Sequence, residues 1–436
     1  MKRFSIPLVA LLLAASLPAQ AASSFDLATA TGGGTAAEYT WDAPNKVLTV
    51  NDTADITITG TVSDGTRVEV AAGATAAITL DGVSITGLSG QSPLLLDGGA
   101  VVTLHLSGTS TLTAGDWAAA GDRGAGIHAP SGTTLNIDGA GTLTATGGSV
   151  GAGIGGSYNF AGGNITISGG TVIAKGGSSA AGIGGGNLSA GGHITINGDA
   201  TVIATGGTCA AGIGGGVSGA GGVITITDAA SVTATGGACY GHGGGAGIGS
   251  GSGGASLQQA GTIKIDTTGA VTATGGTGGP AGTTGANIGQ GGYTGNDGAG
   301  IDSFTGPASV STTVGGAASF TCSVHADGAA PTFTWDWQFS AATPPAWSVV
   351  GGAADTLNVS PVAASDAGQY RCEVTASALL NDGGSSIVYA SGPVRLTVQT
   401  ASSGSATSVP TLGELSLALL ALLLAGMGLG AMRRGG

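Results

Sequence analysis

Charge is scarce in this chain. Only 8% of residues are charged, and 11 Lys and Arg stand against 24 Asp and Glu. So small a basic complement, with no cluster of it anywhere, excludes the electrostatic footprint of a nucleic-acid-binding protein. Aromatic residues make up 4%, and the middle of the chain is almost free of them, so small and aliphatic side chains must fill its core. No helical periodicity follows the glycine-rich motifs, and no Gly period of three is present, which excludes a collagen-like rod. What the chain has instead is 89 glycines and 42% apolar residues. The apolar residues alternate with Thr and Ser, a pattern of strands rather than of disorder.

Both ends read as addresses. Lys2 and Arg3 precede an apolar run from Ile6 to Leu17, and Ala19-Gln20-Ala21 supplies a small-x-small cleavage site. Residues 1–21 are therefore expected to be a secretory signal peptide, the run being short of the roughly 20 residues a membrane span needs. Export would admit disulfides among the four cysteines. At the other end a Ser/Thr/Gly/Ala linker, 400–408, leads into a tripartite tail, 409–436. Val409-Pro410-Thr411-Leu412 comes first, then an apolar stretch from Leu415 to Met432, then Arg433-Arg434. The stretch is just long enough to be a transmembrane helix, with the arginines holding its end in the cytoplasm.

This tail resembles the IPTL-CTERM sorting signal of Gram-negative envelope proteins, although Glu414-Leu415-Ser416 stands where the commonest pattern has Trp-Gly. The resemblance implies recognition and removal by a membrane sorting enzyme. A plain C-terminal anchor is the alternative.

The glycine-rich body repeats. Ala-Gly-Ile begins at Ala125, Ala152, Ala181, Ala211 and Ala246, with Ala286-Asn287-Ile288 as a closing variant. From Ala152 to Ala181 and on to Ala211 the steps are 29 and 30 residues. A second module follows each (Leu135-Asn136-Ile137, Ile165-Thr166-Ile167, Ile194-Thr195-Ile196, Ile224-Thr225-Ile226, Ile263-Lys264-Ile265). A third begins at Thr142, Thr171, Thr201, Ser231 and Ala270. Three short strands per unit, each with one inward face, cannot bury that face alone, so the units must stack as a parallel β-helix. Residues 125–302 are assigned to these repeats and 22–124 to irregular early rungs with an N-terminal cap. A separate small β-sandwich over the early part is the alternative. The pattern is similar to the pectin-lyase-like β-helices of bacterial surface proteins, which implies a right-handed coil and, in some members, carbohydrate binding.

Two repeat positions carry sharper expectations. Cys209 and Cys239 both follow a Thr-Gly-Gly ending one repeat apart. Equivalent residues on stacked strands lie about 4.8 Å apart, within disulfide reach. A disulfide between rungs is expected there, stacked free thiols being the alternative. Lys175 occupies an outward place that Thr holds in neighbouring units, and is expected to be exposed and dispensable.

From 303 to 399 the composition changes: aromatics appear and glycine falls. Cys322, Trp335, Trp337 and Asp366-Ala367-Gly368-Gln369-Tyr370-Arg371-Cys372 follow in an order that closely resembles an immunoglobulin-like sandwich. The resemblance implies a Cys322–Cys372 disulfide, a tyrosine corner joining Tyr370 to the Asp366 region, and a tryptophan on the disulfide. Trp335 and Trp337 share one strand face, and Trp337 is favoured.

Several motifs mimic chemistry. Gly151-Ala152-Gly153-Ile154-Gly155-Gly156 fits G-x-G-x-x-G, and Gly147-Gly148-Ser149-Val150-Gly151 fits G-x-S-x-G, but both need a following helix that the pattern denies. Gly291 to Gly298 matches a calcium nonapeptide only once, and such motifs work by repetition. Asp138, Asp199, Asp228 and Asp266 fall at strand ends, where Asp terminates strands through its own hydrogen bonds. The loop aromatics Trp117, Tyr158, Phe160, Tyr240 and Tyr293 are candidates for stacking on sugars.

The expected architecture is thus all-β: a β-helix, an Ig-like sandwich and a C-terminal transmembrane helix. The expected role is a non-enzymatic cell-envelope structural or interaction protein, carbohydrate-binding or adhesive. No cofactor, metal or catalytic residue is assigned, and the expected partners are polysaccharide or another surface protein and the sorting machinery. A polysaccharide-processing β-helix enzyme is the alternative.

Overall fold

The computed structural model describes residues 23–115, 124–253, 258–279, 283–293, 296–328, 331–352, 354–377 and 385–400. Thr and β-branched residues at period two make strands, glycine supplies the corners, and the result is three parallel sheets wound into one solenoid.

The first sheet stacks Asp55–Thr59, Thr75–Asp81, Val101–Ser107, Thr134–Gly139, Asn164–Ile167, His193–Ile196, Val223–Asp228 and Thr262–Thr267, every neighbour parallel. Register is strict: Ile165, Ile194, Ile224 and Ile263 lie one above the other and are fully buried. A slip by one residue would put that whole column in water. The second sheet narrows from Val47–Val50, Arg67–Val70 and Leu94–Leu96 to two-residue strands such as Ile154–Gly155 and Ile213–Gly214. The third runs from Thr61–Val62 through Thr142–Thr146 and Thr201–Thr205 to Val271–Thr274. Its inward places hold Val172 and Ala174, then Val202 and Ala204, all buried, while Lys175 points outward and is exposed.

Glycine dominates around the second sheet because backbone there packs on backbone. The loops on either side of each two-residue strand bond to each other across rungs: Asn187 N–H donates to Val150 O at 3.0 Å, Val217 N–H to Ser179 O at 3.1 Å, and Ser252 N–H to Cys209 O at 2.7 Å. The strand beneath is therefore buried on both faces. Gly207 shows why no side chain fits, since a Cβ there would overlap the carbonyl oxygen of Gly177 in the rung before.

The N-terminal end is closed by antiparallel pairs, Ser23–Asp26 with Thr31–Gly33 and Tyr39–Asp42 with Val47–Val50. Phe25 plugs it, with ring centroids 5.5 Å from Tyr39 and 5.3 Å from Trp41. At the other end the immunoglobulin-like domain is itself the closing layer. Its strand Ser386–Ala390 adds in parallel to Thr262–Thr267, so Ile387 takes the next place in the isoleucine column and is fully buried. Strand Gly300–Thr305 pairs antiparallel with Ile288–Gly289 on one side and Ser323–Asp327 on the other. The 302/303 boundary read from composition thus falls inside a strand. Two of the three sheets run from solenoid into domain without a break.

Among the described residues no helix is long and apolar enough to cross a membrane. The expected transmembrane helix, with Val409, Pro410, Thr411, Leu412, Arg433 and Arg434, lies outside the described residues, as does the expected signal peptide.

Candidate functional site

Both cysteine pairs are disulfides. Cys209 and Cys239 sit in successive turns after the third sheet, with Cα atoms 4.7 Å apart. Cys322–Cys372 joins the two layers of the immunoglobulin-like domain. Trp337, 1% exposed, lies in that domain's core with both cysteines, and Trp335 packs against the same cluster half-buried. Trp337 Nε1 donates to Ala354 O at 3.0 Å. The Tyr370 hydroxyl donates to Asp366 O at 3.0 Å, and burial pushes that phenol up to about 12, so it remains a donor at any physiological pH.

The aromatic candidates are spread over different corners. Trp117 lies outside the described residues. Tyr158 and Phe160 share the loop that follows Ile154–Gly155; Phe160 is 53% exposed and meets the His128 ring edge-on at 5.7 Å. Tyr240, 90% exposed, follows Cys239 on the opposite side of the second sheet. Tyr293 is half-buried and pairs its backbone with Asn296.

Three of the four strand-end carboxylates are engaged in joining neighbouring layers, and Asp199 is not among them. Asp138 pairs with His105 of the preceding rung. Asp228 accepts from Gly198 N–H at 3.1 Å, and Asp266 forms an ion pair with Arg371 at 2.6 Å. General acid–base chemistry needs one carboxyl holding a proton beside one free to take it, and these commitments oppose that. Asp297 accepts from Thr284 N–H at 2.6 Å, a loop-closing bond. Ser157 Oγ lies 2.8 Å from His128 Nδ1, but both residues are buried, so this is a core hydrogen bond rather than a nucleophile presented to substrate. Among the described residues, no three His, Cys, Asp or Glu side chains group as a metal site.

Two polar cavities were not visible in the sequence. The larger, about 620 Å3, lies on the outer face of the early second-sheet strands. Lys46 Nζ contacts Asp64 at 2.6 Å, and Arg67 Nε donates to Glu69 at 2.8 Å while its Nη1 reaches Gln91 at 3.2 Å. The hydrogen bond from Lys46, joined by that from Thr66, holds Asp64 down to about 2. A second cavity, about 410 Å3, lies where solenoid and immunoglobulin-like domain meet, lined by Asp228 and Asp266 from the solenoid and by Trp347 and Arg371 from the domain. Asp266 and Arg371 are 105 residues apart in sequence, a separation no local pattern reveals. The only sequence cue was Trp347 itself, isolated behind Pro344-Pro345-Ala346.

Comparison with known families divides the chain in the same way. No curated protein matches it. Residues 135–158, 165–187 and 194–217 match the β-helix repeat, residues 303–375 the immunoglobulin domain, and residues 407–434 the IPTL-CTERM motif. The chain thus joins β-helix repeats and an immunoglobulin-like domain, in sequence as in fold, and its sequence adds an IPTL-CTERM motif.

Proposed function

We propose that this is an exported, non-enzymatic protein of the bacterial cell envelope that holds polysaccharide along a rigid β-rod. The observation that carries the reading is the IPTL-CTERM match at 407–434 placed directly behind a folded all-β body. A signal peptide at 1–21 takes the chain across the inner membrane. The apolar stretch from Leu415 to Met432 then spans that membrane until a sorting enzyme removes it, and the body is displayed or released.

The non-enzymatic part is supported by the strand-end carboxylates Asp138, Asp228 and Asp266, each tied to a partner in the rod. The polysaccharide part is supported by the outer faces. Columns such as Thr166–Thr195–Thr225 and Thr205–Thr235–Thr274 present hydroxyls, with few charges among them.

Mass spectrometry of the envelope form tests delivery: a mature chain lacking Leu415 to Gly436 is expected, and an intact peptide containing Arg433-Arg434 overturns processing. A glycan array probed with the purified protein tests binding. Retention on neutral polysaccharides is expected, and retention on none overturns that part of the reading.

A further inference from the structure

The two polar cavities differ in what they offer a ligand. In the N-terminal one, Lys46 is held by Asp64, and Arg67 by Glu69 and Gln91. No aromatic side chain lines it. Both of its cations are held by carboxylates, Asp42 leaves one negative charge over, and no ring offers a face for stacking.

The junction cavity has such a face. The indole of Trp347 lines it together with Pro345 and Pro393. Arg371 lies over one face of the half-exposed indole, its guanidinium carbon 4.4 Å from the ring centroid, so a stacking ligand has to take the opposite face. That arginine is fixed from two sides, by Asp266 at 2.6 Å and by Gln338 at 2.7 Å. A ring held in this way is pre-oriented, so a ligand stacking on it does not have to order it first. The Asp228 carboxylate also lines the cavity, and its second oxygen is left after one accepts from Gly198 N–H.

We propose that this junction cleft is a binding subsite for a neutral saccharide, with Trp347 as stacking platform and Asp228 as hydroxyl acceptor. The inference rests on the polysaccharide reading above and gives it a location. The volume, about 410 Å3, falls within the range of small-molecule sites, and domain boundaries are where such sites concentrate. Asp228 and Asp266 outnumber Arg371, so the cleft carries a residual negative charge that disfavours uronic acids and admits neutral sugars. The site is composite: the solenoid supplies the carboxylates and the immunoglobulin-like domain the ring, so it exists only because the two are joined by a shared sheet.

The test is calorimetric titration of the mature protein with neutral cello-, malto- and chito-oligosaccharides, using wild type, Trp347→Ala, Trp347→Phe and Asp228→Asn, with circular dichroism to follow folding. Wild type is expected to bind at least one series. Trp347→Ala should bind it about tenfold more weakly, and Trp347→Phe should keep most of the affinity because a flat ring remains. If wild type binds and Trp347→Ala and Asp228→Asn bind equally well, the cleft is not the site, although the polysaccharide reading stands. If wild type binds none, the polysaccharide reading fails and the site with it. Should Trp347→Ala not fold, Trp347→Phe with Asp228→Asn decides: retained affinity in the first and loss in the second supports the site, and no change in the second overturns it.

Discussion

At the scale of single residues, tolerance is set by whether a position faces water or another rung. Lys175 is exposed on the third sheet among threonines, so Lys175→Thr should change stability by no more than about 0.5 kcal/mol in chemical denaturation. Gly207→Ala should be costly in the same assay, by about 2 kcal/mol or more, because the new methyl would overlap the Gly177 carbonyl and the stacked backbone has no room to yield. Equal effects from the two changes would reverse the inward and outward assignments. Asp64 offers a titration. Its ordinary value, 3.8, is lowered to about 2 by the hydrogen bond from Lys46. A depressed carboxylate stabilises the fold above its unfolded value and loses that contribution as pH falls through its folded one, here between 3.8 and about 2. Both side chains are largely exposed, so the contribution is small, below about 1 kcal/mol. Carboxyl NMR should find Asp64 titrating near 2 in wild type and higher in Lys46→Met, though still below the ordinary value because the Thr66 hydrogen bonds remain; an unmoved midpoint would mean Lys46 is not the cause.

At the scale of elements, the Cys209–Cys239 disulfide clamps two successive turns. Closing a loop of this length stabilises a chain by about 3.6 kcal/mol on the entropy model. Cys239→Ser should lower stability by about that amount, and the unfolded, unreduced mature protein should show no reactive thiol; two thiols per chain would contradict the bond. This clamp was legible in the sequence because the repeat places the cysteines one unit apart behind identical Thr-Gly-Gly endings. Most first-sheet strands were legible for the same reason, since alternation of Ile with Thr in Ile194-Thr195-Ile196 marks one buried face. Elements too short to alternate were not legible: Thr61–Val62 and Ser84–Ile85 have two residues each, and only their parallel neighbours identify them as third-sheet strands. The junction cleft was hidden for another reason. Arg371 meets Asp266 only because Ser386–Ala390 continues the solenoid sheet, and nothing local to either residue announces that pairing.

At the scale of the whole molecule, the solenoid and the immunoglobulin-like domain share two sheets and, through Ile387, one core. Their boundary is therefore stiffer than the polar, mobile interfaces usual between domains of one chain. Limited proteolysis should leave the segment around Gly300–Thr305 uncut, and an early cut there would mean that the domain swings free. Such a rod holds its faces at fixed positions relative to one another, which fits the proposed role of binding a polymer without altering it. The most direct measurement follows both properties at once. The mature protein is incubated with a neutral polysaccharide selected on the array, and the chain length of bound and free polymer is then determined. Retention of polysaccharide at its original length is predicted; shortened chains, or no retention of any polymer, would contradict the account.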